Sequence, residues 1–209
     1  MLIDTKNMKW SFPTERPRLR CLQGNRSNSP LAITLILFSL AVPAAIAQSA
    51  KPSEYDVKAA YLLNFGKFIR QSNGRYLHSS FDICLLGRDS MGQTIDELAT
   101  NQFIDNRPVH VRRLPDVTQA KGCAIVYFSS SENDRLHEDM VLLPSTDALT
   151  VSDADDFLDR GGMIQFLVID KHVRFTVNLN AVNHAHLVLS SELLRVALSV
   201  TGKPSGEQP

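Results

Sequence analysis

Hydrophobic positions along the chain follow three successive patterns. Residues 31–47 are almost continuously apolar, interrupted only by Thr34, Ser39 and Pro43. Val57, Tyr61, Phe65 and Phe68 then recur at spacings of four, four and three, which places them on one helical face. From Phe81 onward, short apolar runs alternate with helical patterns. Residues 81–86, 109–114, 123–128 and 149–152 read as strands, and 91–98 and 131–140 as helices, with a brief further helix near 155–160. This alternation predicts an α/β fold built on a mostly parallel open sheet, with helices on both faces and a Rossmann- or flavodoxin-like strand order 2-1-3-4.

The pattern changes near the C-terminus. Strand-like residues 163–169 and 172–179 are separated only by Asp170 and Lys171, which suits a two-residue antiparallel hairpin. In the second strand Val173, Phe175, Val177 and Leu179 alternate with His172, Arg174, Thr176 and Asn178. One face is therefore polar, as expected of a sheet edge or a contact surface. Residues 180–184 and 191–200 complete the chain as helices, the latter capped by Ser190. At the start of the domain, Ser53 followed by Asp56 forms a capping-box pattern ahead of the first helix. Gly66 inside that helix costs about 1 kcal/mol relative to alanine, which points to a close contact there. The polar turn from Gln71 to Gly74 ends this segment.

The apolar run at 31–47 is preceded by Lys6, Lys9, Arg16, Arg18, Arg20 and Arg26, and it closes on Ala45-Ile46-Ala47 before Gln48. A basic leader, an apolar stretch and a small-x-small ending describe an export signal cleaved between Ala47 and Gln48. An uncleaved anchor is the alternative, although the run is short and broken for a membrane span. The expected organisation is a signal peptide at 1–47, an α/β domain at 48–201 and a disordered tail at 202–209.

Composition sharpens this picture. The 209 residues carry 22 basic and 22 acidic side chains, 44% hydrophobic content and 7% aromatic. Removing the six basic and two acidic residues of the leader leaves 16 and 20, a net charge of −4. A mildly acidic domain is a poor partner for nucleic acid. Of three cysteines, Cys21 leaves with the leader, and Cys84 and Cys123 remain in an oxidising compartment. In a 2-1-3-4 sheet their strands are neighbours, so they form either a bridge or two buried thiols packed as small hydrophobes.

Other chemistry is sparse. The segment Gly87-Arg88-Asp89-Ser90-Met91-Gly92 joins a strand end to a helix start, where open sheets bind phosphates. It lacks both phosphate-loop spacings, and a capped turn accounts for it. Asp153, Asp155, Asp156 and Asp159 form an acidic cluster without the glycine and glutamate of a calcium loop, and capping explains them. His184 and His186 are two apart, unlike the i, i+4 pair of a helical zinc site. No catalytic set, cofactor or metal is expected. The polar face of the hairpin is the better interface candidate, with Arg174 as anchor beside His172 and Thr176; a structural salt bridge is the equal alternative for Arg174.

Several blocks resemble the YfiR family of small bacterial periplasmic proteins. They are Glu54-Tyr55-Asp56-Val57-Lys58-Ala59-Ala60-Tyr61-Leu62-Leu63-Asn64-Phe65-Gly66-Lys67-Phe68, Phe81-Asp82-Ile83-Cys84-Leu85-Leu86-Gly87 and Gly122-Cys123. Further on come Arg160-Gly161-Gly162-Met163-Ile164, Val173-Arg174-Phe175 with Asn178-Leu179, and Leu189-Ser190-Ser191-Glu192-Leu193-Leu194-Arg195-Val196-Ala197. The resemblance implies a disulfide between Cys84 and Cys123. It also implies a regulator that binds the periplasmic sensor of an inner-membrane diguanylate cyclase and holds it inactive, lowering cyclic di-GMP and biofilm output. An OmpA-like outer-membrane lipoprotein that sequesters it, a homodimer and redox-sensitive folding are implied as well. The chain departs from the family in two places. Gln71-Ser72-Asn73 stands where a Trp-Pro pair is usual, and a second cysteine pair near Gly161-Gly162 is absent. A ligand-sensing module for another receptor, such as a histidine kinase or transporter, is the second functional expectation.

Overall fold

The computed structural model describes residues 51–72, 78–88, 90–143 and 147–202. The expected leader, its cleavage site at Ala47 and Gln48, and tail residues 203–209 lie outside the described residues. Helix α1 (Glu54–Phe68) begins where the sequence places it: Ser53 accepts from the Asp56 amide while the Asp56 carboxylate accepts from the Ser53 amide. Its most buried positions are Lys58, Ala59, Leu62, Leu63, Phe65 and Gly66, whereas Val57, Tyr61 and Phe68 are half-buried flanks. The buried stripe is thus rotated from the expected one. Small residues at Ala59 and Gly66 let the helix approach the sheet, leaving larger side chains to wrap its sides.

After α1 come β1 (Ile69–Gln71), β2 (Phe81–Leu86), α2 (Gly92–Ala99), β3 (Phe103–Ile104) and β4 (Arg107–Leu114). They are followed by β5 (Cys123–Phe128), α3 (Leu136–Leu142), β6 (Leu149–Ser152), β7 (Ile164–Ile169) and β8 (His172–Asn178). The chain continues through α4 (Leu179–His184), β9 (Leu187–Leu189), α5 (Ser191–Val196) and β10 (Ser199–Thr201). The result is a mixed α/β fold around an eight-stranded sheet ordered β10-β8-β7-β6-β5-β2-β4-β3. Five of its neighbour pairs are parallel; β7–β8 and β3–β4 are antiparallel. A separate two-stranded ribbon pairs β1 with β9.

Two cores flank the sheet. The first holds Leu62, Phe65, Ile95, Val182 and Leu193 from the helices against Phe81, Ile125, Phe166 and Phe175 from the strands. The second, smaller core places Leu136 of α3 and Phe157 against Cys84, Leu86, Val126 and Phe128. Phe65 stacks on Phe166 with ring centroids 5.8 Å apart and meets Phe175 edge-on at 5.1 Å, which fastens α1 to the hairpin.

Several expected elements are corrected. Residues 155–160 form turns rather than a helix, because Asp156 adopts φ +55 and interrupts right-handed winding. The helix expected at 131–140 starts at Leu136, after a short 3-10 turn over Ser130–Glu132. The last helix stops at Val196 instead of running to 200, and the chain enters β10 alongside β8. The hairpin turn agrees with expectation: Asp170 and Lys171 both have positive φ, the conformation of a two-residue primed turn.

Gly66 makes the predicted close contact. A Cβ there would lie 2.6 Å from Ile104 Cδ1 and 2.7 Å from Phe81 Cζ, both buried. Gly66→Ala is therefore expected to lower the urea midpoint, with a loss of about 1–3 kcal/mol from overpacking that outweighs its gain in helix propensity. An unchanged or raised midpoint would contradict the contact.

Candidate functional site

Cys84 lies inside β2 and Cys123 opens β5, and a disulfide joins them with Cα atoms 5.9 Å apart. Adjacent parallel strands do not place these two residues directly opposite. Register passes from Asp82↔Cys123 to Ile83↔Ile125, so Ala124 is an extra, bulged residue. That bulge leaves Cys123 and Val126 on the second core, together with Cys84. Arg112 covers the bridge: its Nη1 lies 3.7 Å from Cys123 Sγ and 3.3 Å from Asp82 Oδ2, and Nη2 donates to the Gln119 carbonyl. Both cysteines are buried, so the bridge is a staple within packed structure.

Strand order reverses between β4 and β5 on either side of β2, the position where open sheets commonly hold ligands beyond their carboxyl ends. Here the protein's own chain fills that position. Gly87 has φ +89, and a Cβ on it would lie 2.7 Å from Ser131 Oγ and from Glu132 Cγ. Ser131 Oγ accepts from the Arg88 amide, and the Ser129 amide donates to the Leu86 carbonyl. Met91, the residue before α2, makes no side-chain cap, and Asp89 lies outside the described residues. The Gly87–Gly92 segment is thus a turn closed by neighbouring residues.

At the same end of the sheet, the second turn of α1 brings Lys58 to Asp153, the residue that follows β6. Lys58 Nζ lies 2.6 Å from Asp153 Oδ2 and 2.5 Å from Glu54 Oε1, with the Tyr55 ring 4.7 Å away. Asp153 Oδ1 also accepts from the Ser130 amide. Burial pushes the Lys58 ammonium down, but the hydrogen bonds and charges of Asp153 and Glu54 outweigh it and hold the group above its ordinary range. Burial, with the negative charge of Asp153 behind it, pushes the Tyr127 phenol up. The sequence marks Asp153 only as one of four acids, and nothing local pairs it with a lysine 95 residues away. Asp155, Asp156 and Asp159 stay exposed.

The hairpin residues divide. His172 and Arg174 are exposed, while Thr176 is buried because β10 pairs beside it at Ser199. The strand is therefore not a free edge along its whole length. Asn178 also turns inward, donating to the Leu158 carbonyl and capping α4 through the Ala181 amide. On β7, Leu167 lies opposite Arg174 and Ile169 opposite His172, so the face read as polar from one strand is half apolar. His184 ends α4, and His186 follows at φ +55 in the approach to β9.

A cleft of about 230 Å³ lies at the opening of β5, bordered by Arg70, His78, Arg107, Lys121, Cys123 and Asp147. Sequence reasoning did not find it, because its lining comes from six separated segments. Among the described residues, no helix is long and apolar enough to cross a membrane.

Comparison with known proteins agrees with this architecture. The fold is similar to the crystal structure of a conserved domain protein from Vibrio cholerae O1 biovar El Tor, with a TM-score of 0.51 at 10% identity. The match covers 71% of this chain and 60% of that one, so the chain spans less than two thirds of the solved protein. No curated protein matches the sequence. The YfiR/HmsC-like family matches residues 55–198, from the first turn of α1 to the approach to β10, and the chain belongs to that family.

Proposed function

We propose that this protein is a periplasmic repressor that occupies the sensor region of an inner-membrane diguanylate cyclase and suppresses its switching. Membership of a regulatory, non-catalytic family across 55–198 carries this reading. The basic and apolar leader, and a disulfide that requires an oxidising compartment, support the location. A repressor of this kind performs no reaction. It binds the inactive conformation of its receptor more tightly than the active one, and the population shifts by that difference in affinity. An OmpA-like outer-membrane lipoprotein would relieve repression by competing for the free protein. Deletion of the gene is expected to raise cyclic di-GMP and biofilm formation, with restoration from a plasmid copy. Unchanged cyclic di-GMP across growth conditions would overturn the reading.

The cleft beside Cys123 favours a second reading, a ligand-sensing module for a histidine kinase or transporter. Its border mixes Arg70 and Arg107, both paired with Asp105, with Lys121, His78 and Asp147, a polar lining suited to a small polar ligand. A deletion that alters such a receptor's output and leaves cyclic di-GMP unchanged would select this alternative.

A further inference from the structure

We propose that helix α3 is an acid-set latch: the Asp139 carboxyl seats it on the second core when protonated and loosens it when charged. The helix is only seven residues long. Leu136, Asp139 and Met140, with Leu143 at the C-cap, recur at helical spacing on the side that meets this core. Leu136 is fully buried, and Met140 and Leu143 pack against the same cluster. Asp139 thus sets a carboxyl among apolar side chains, and its own side chain is only 2% exposed. Val141 and Leu142 meanwhile face solvent. An acid lies inside and two apolar residues lie outside, so the helix is seated against its own polarity.

The charge is poorly compensated. Oδ1 lies 3.5 Å from Arg135 Nη2, on a side chain that is itself 59% exposed. Oδ2 is buried and has no hydrogen-bond partner among the described residues. A carboxylate in that state carries a desolvation cost that the neutral acid of the same volume largely escapes. Burial pushes the Asp139 carboxyl up; Arg135 opposes the rise, and Glu132 and Glu138 add to it. The 3-10 turn Val117–Ala120, packed against α3, has no titratable residue; Asp116 caps it and Lys121 follows, exposed. Strands β2 and β5 meet this core with Cys84, Leu86, Cys123, Val126 and Phe128, and Arg160, beyond Phe157, gives Nη1 to the Asn133 carbonyl. The folded carboxyl therefore keeps its proton above the ordinary value of 3.8. Its contribution to stability is complete below 3.8 and is lost as pH rises through the folded value, so α3 opens more readily at neutral pH than in mild acid.

Amide hydrogen exchange of the purified protein, expressed as protection relative to the unstructured chain at each pH, tests the latch. The Asp139 and Leu143 amides donate to the Arg135 and Asp139 carbonyls. Their protection is expected to be about three- to tenfold higher at about pH 4.5 than at about pH 7.5. Asp139→Asn should give the higher protection at both. Arg135→Gln should move the midpoint of the change to higher pH and Glu138→Gln to lower pH, because one removes an opposing cation and the other an assisting anion. Arg135 and Glu138 are exposed, so these two variants keep the test valid if Asp139→Asn fails to fold. Equal protection at both pH values, a change that persists in Asp139→Asn, or midpoints indifferent to Arg135 and Glu138 would overturn the assignment. Exchange is read on the protein alone, so this outcome is separate from cyclic di-GMP output.

Discussion

Lys58→Met is expected to reduce stability by about 3–5 kcal/mol, the usual consequence of leaving a buried charge without its partner. The substitution keeps most of the side-chain volume and removes the cation between Asp153 and Glu54. Asp153 would keep the Ser130 amide as a donor but lose its counter-charge while buried. Adding Asp153→Asn should recover part of the loss, because the remaining buried group is then neutral. The pH dependence has a definite sign. A lysine whose folded value lies above its unfolded one, near 10.5, contributes its full stability below that value and loses it as pH rises through the folded value. Urea midpoints of wild type and Lys58→Met should therefore differ throughout the neutral range and converge only in strong alkali. Equal midpoints at pH 7 would show that the lysine does not hold α1 to β6.

Breaking the Cys84–Cys123 bridge is the second large effect expected. It closes a loop of 39 residues, and on chain-entropy grounds its removal frees the unfolded chain by about 4 kcal/mol. Domains of this size are stable by only about 5–15 kcal/mol, so the reduced protein should unfold at far lower denaturant. Cys84→Ala with Cys123→Ala should lower the urea midpoint about as much as reductant lowers that of the wild type. The double variant itself should be insensitive to reductant. Because both sulfurs are buried and Arg112 lies over Cys123, reduction of the native protein should be slow and should accelerate in mild urea. Two alkylatable thiols in the native, unreduced protein would refute the bridge.

These two sites differ in how much the sequence disclosed. Cys84 and Cys123 stand in apolar runs whose limits, 81–86 and 123–128, agree with β2 and β5. Export and a strand order that makes β2 and β5 neighbours leave a bridge or two buried thiols, and the family resemblance points to the bridge. Lys58, by contrast, lies off the expected apolar face of Val57, Tyr61, Phe65 and Phe68, and nothing within α1 marks it as buried. Its burial depends on Asp153 arriving from the end of β6, and charge alone gives no sign of that meeting. The same limit explains Thr176. Alternation correctly put it on the face opposite Phe175, but β10 pairs beside it, and three residues are too short a strand to separate from the end of the preceding helix by pattern alone.

What the sequence alone determined about this protein is what depends on neighbours within a few residues. The capping box at Ser53, the period-two alternation of β8 and the positive-φ turn at Asp170 and Lys171 are of this kind; Gly66 marked a close contact but not its partners, Ile104 and Phe81. Only the tertiary structure decided the β1–β9 ribbon, the bulge at Ala124, the filled crevice at Gly87 and the burial of Asp139. Three-residue strands such as β1, β9 and β10 carry too little periodicity to stand out, and they form because a distant segment offers them a partner. Periodicity tells which side chains turn inward; it does not tell which segments arrive to cover them.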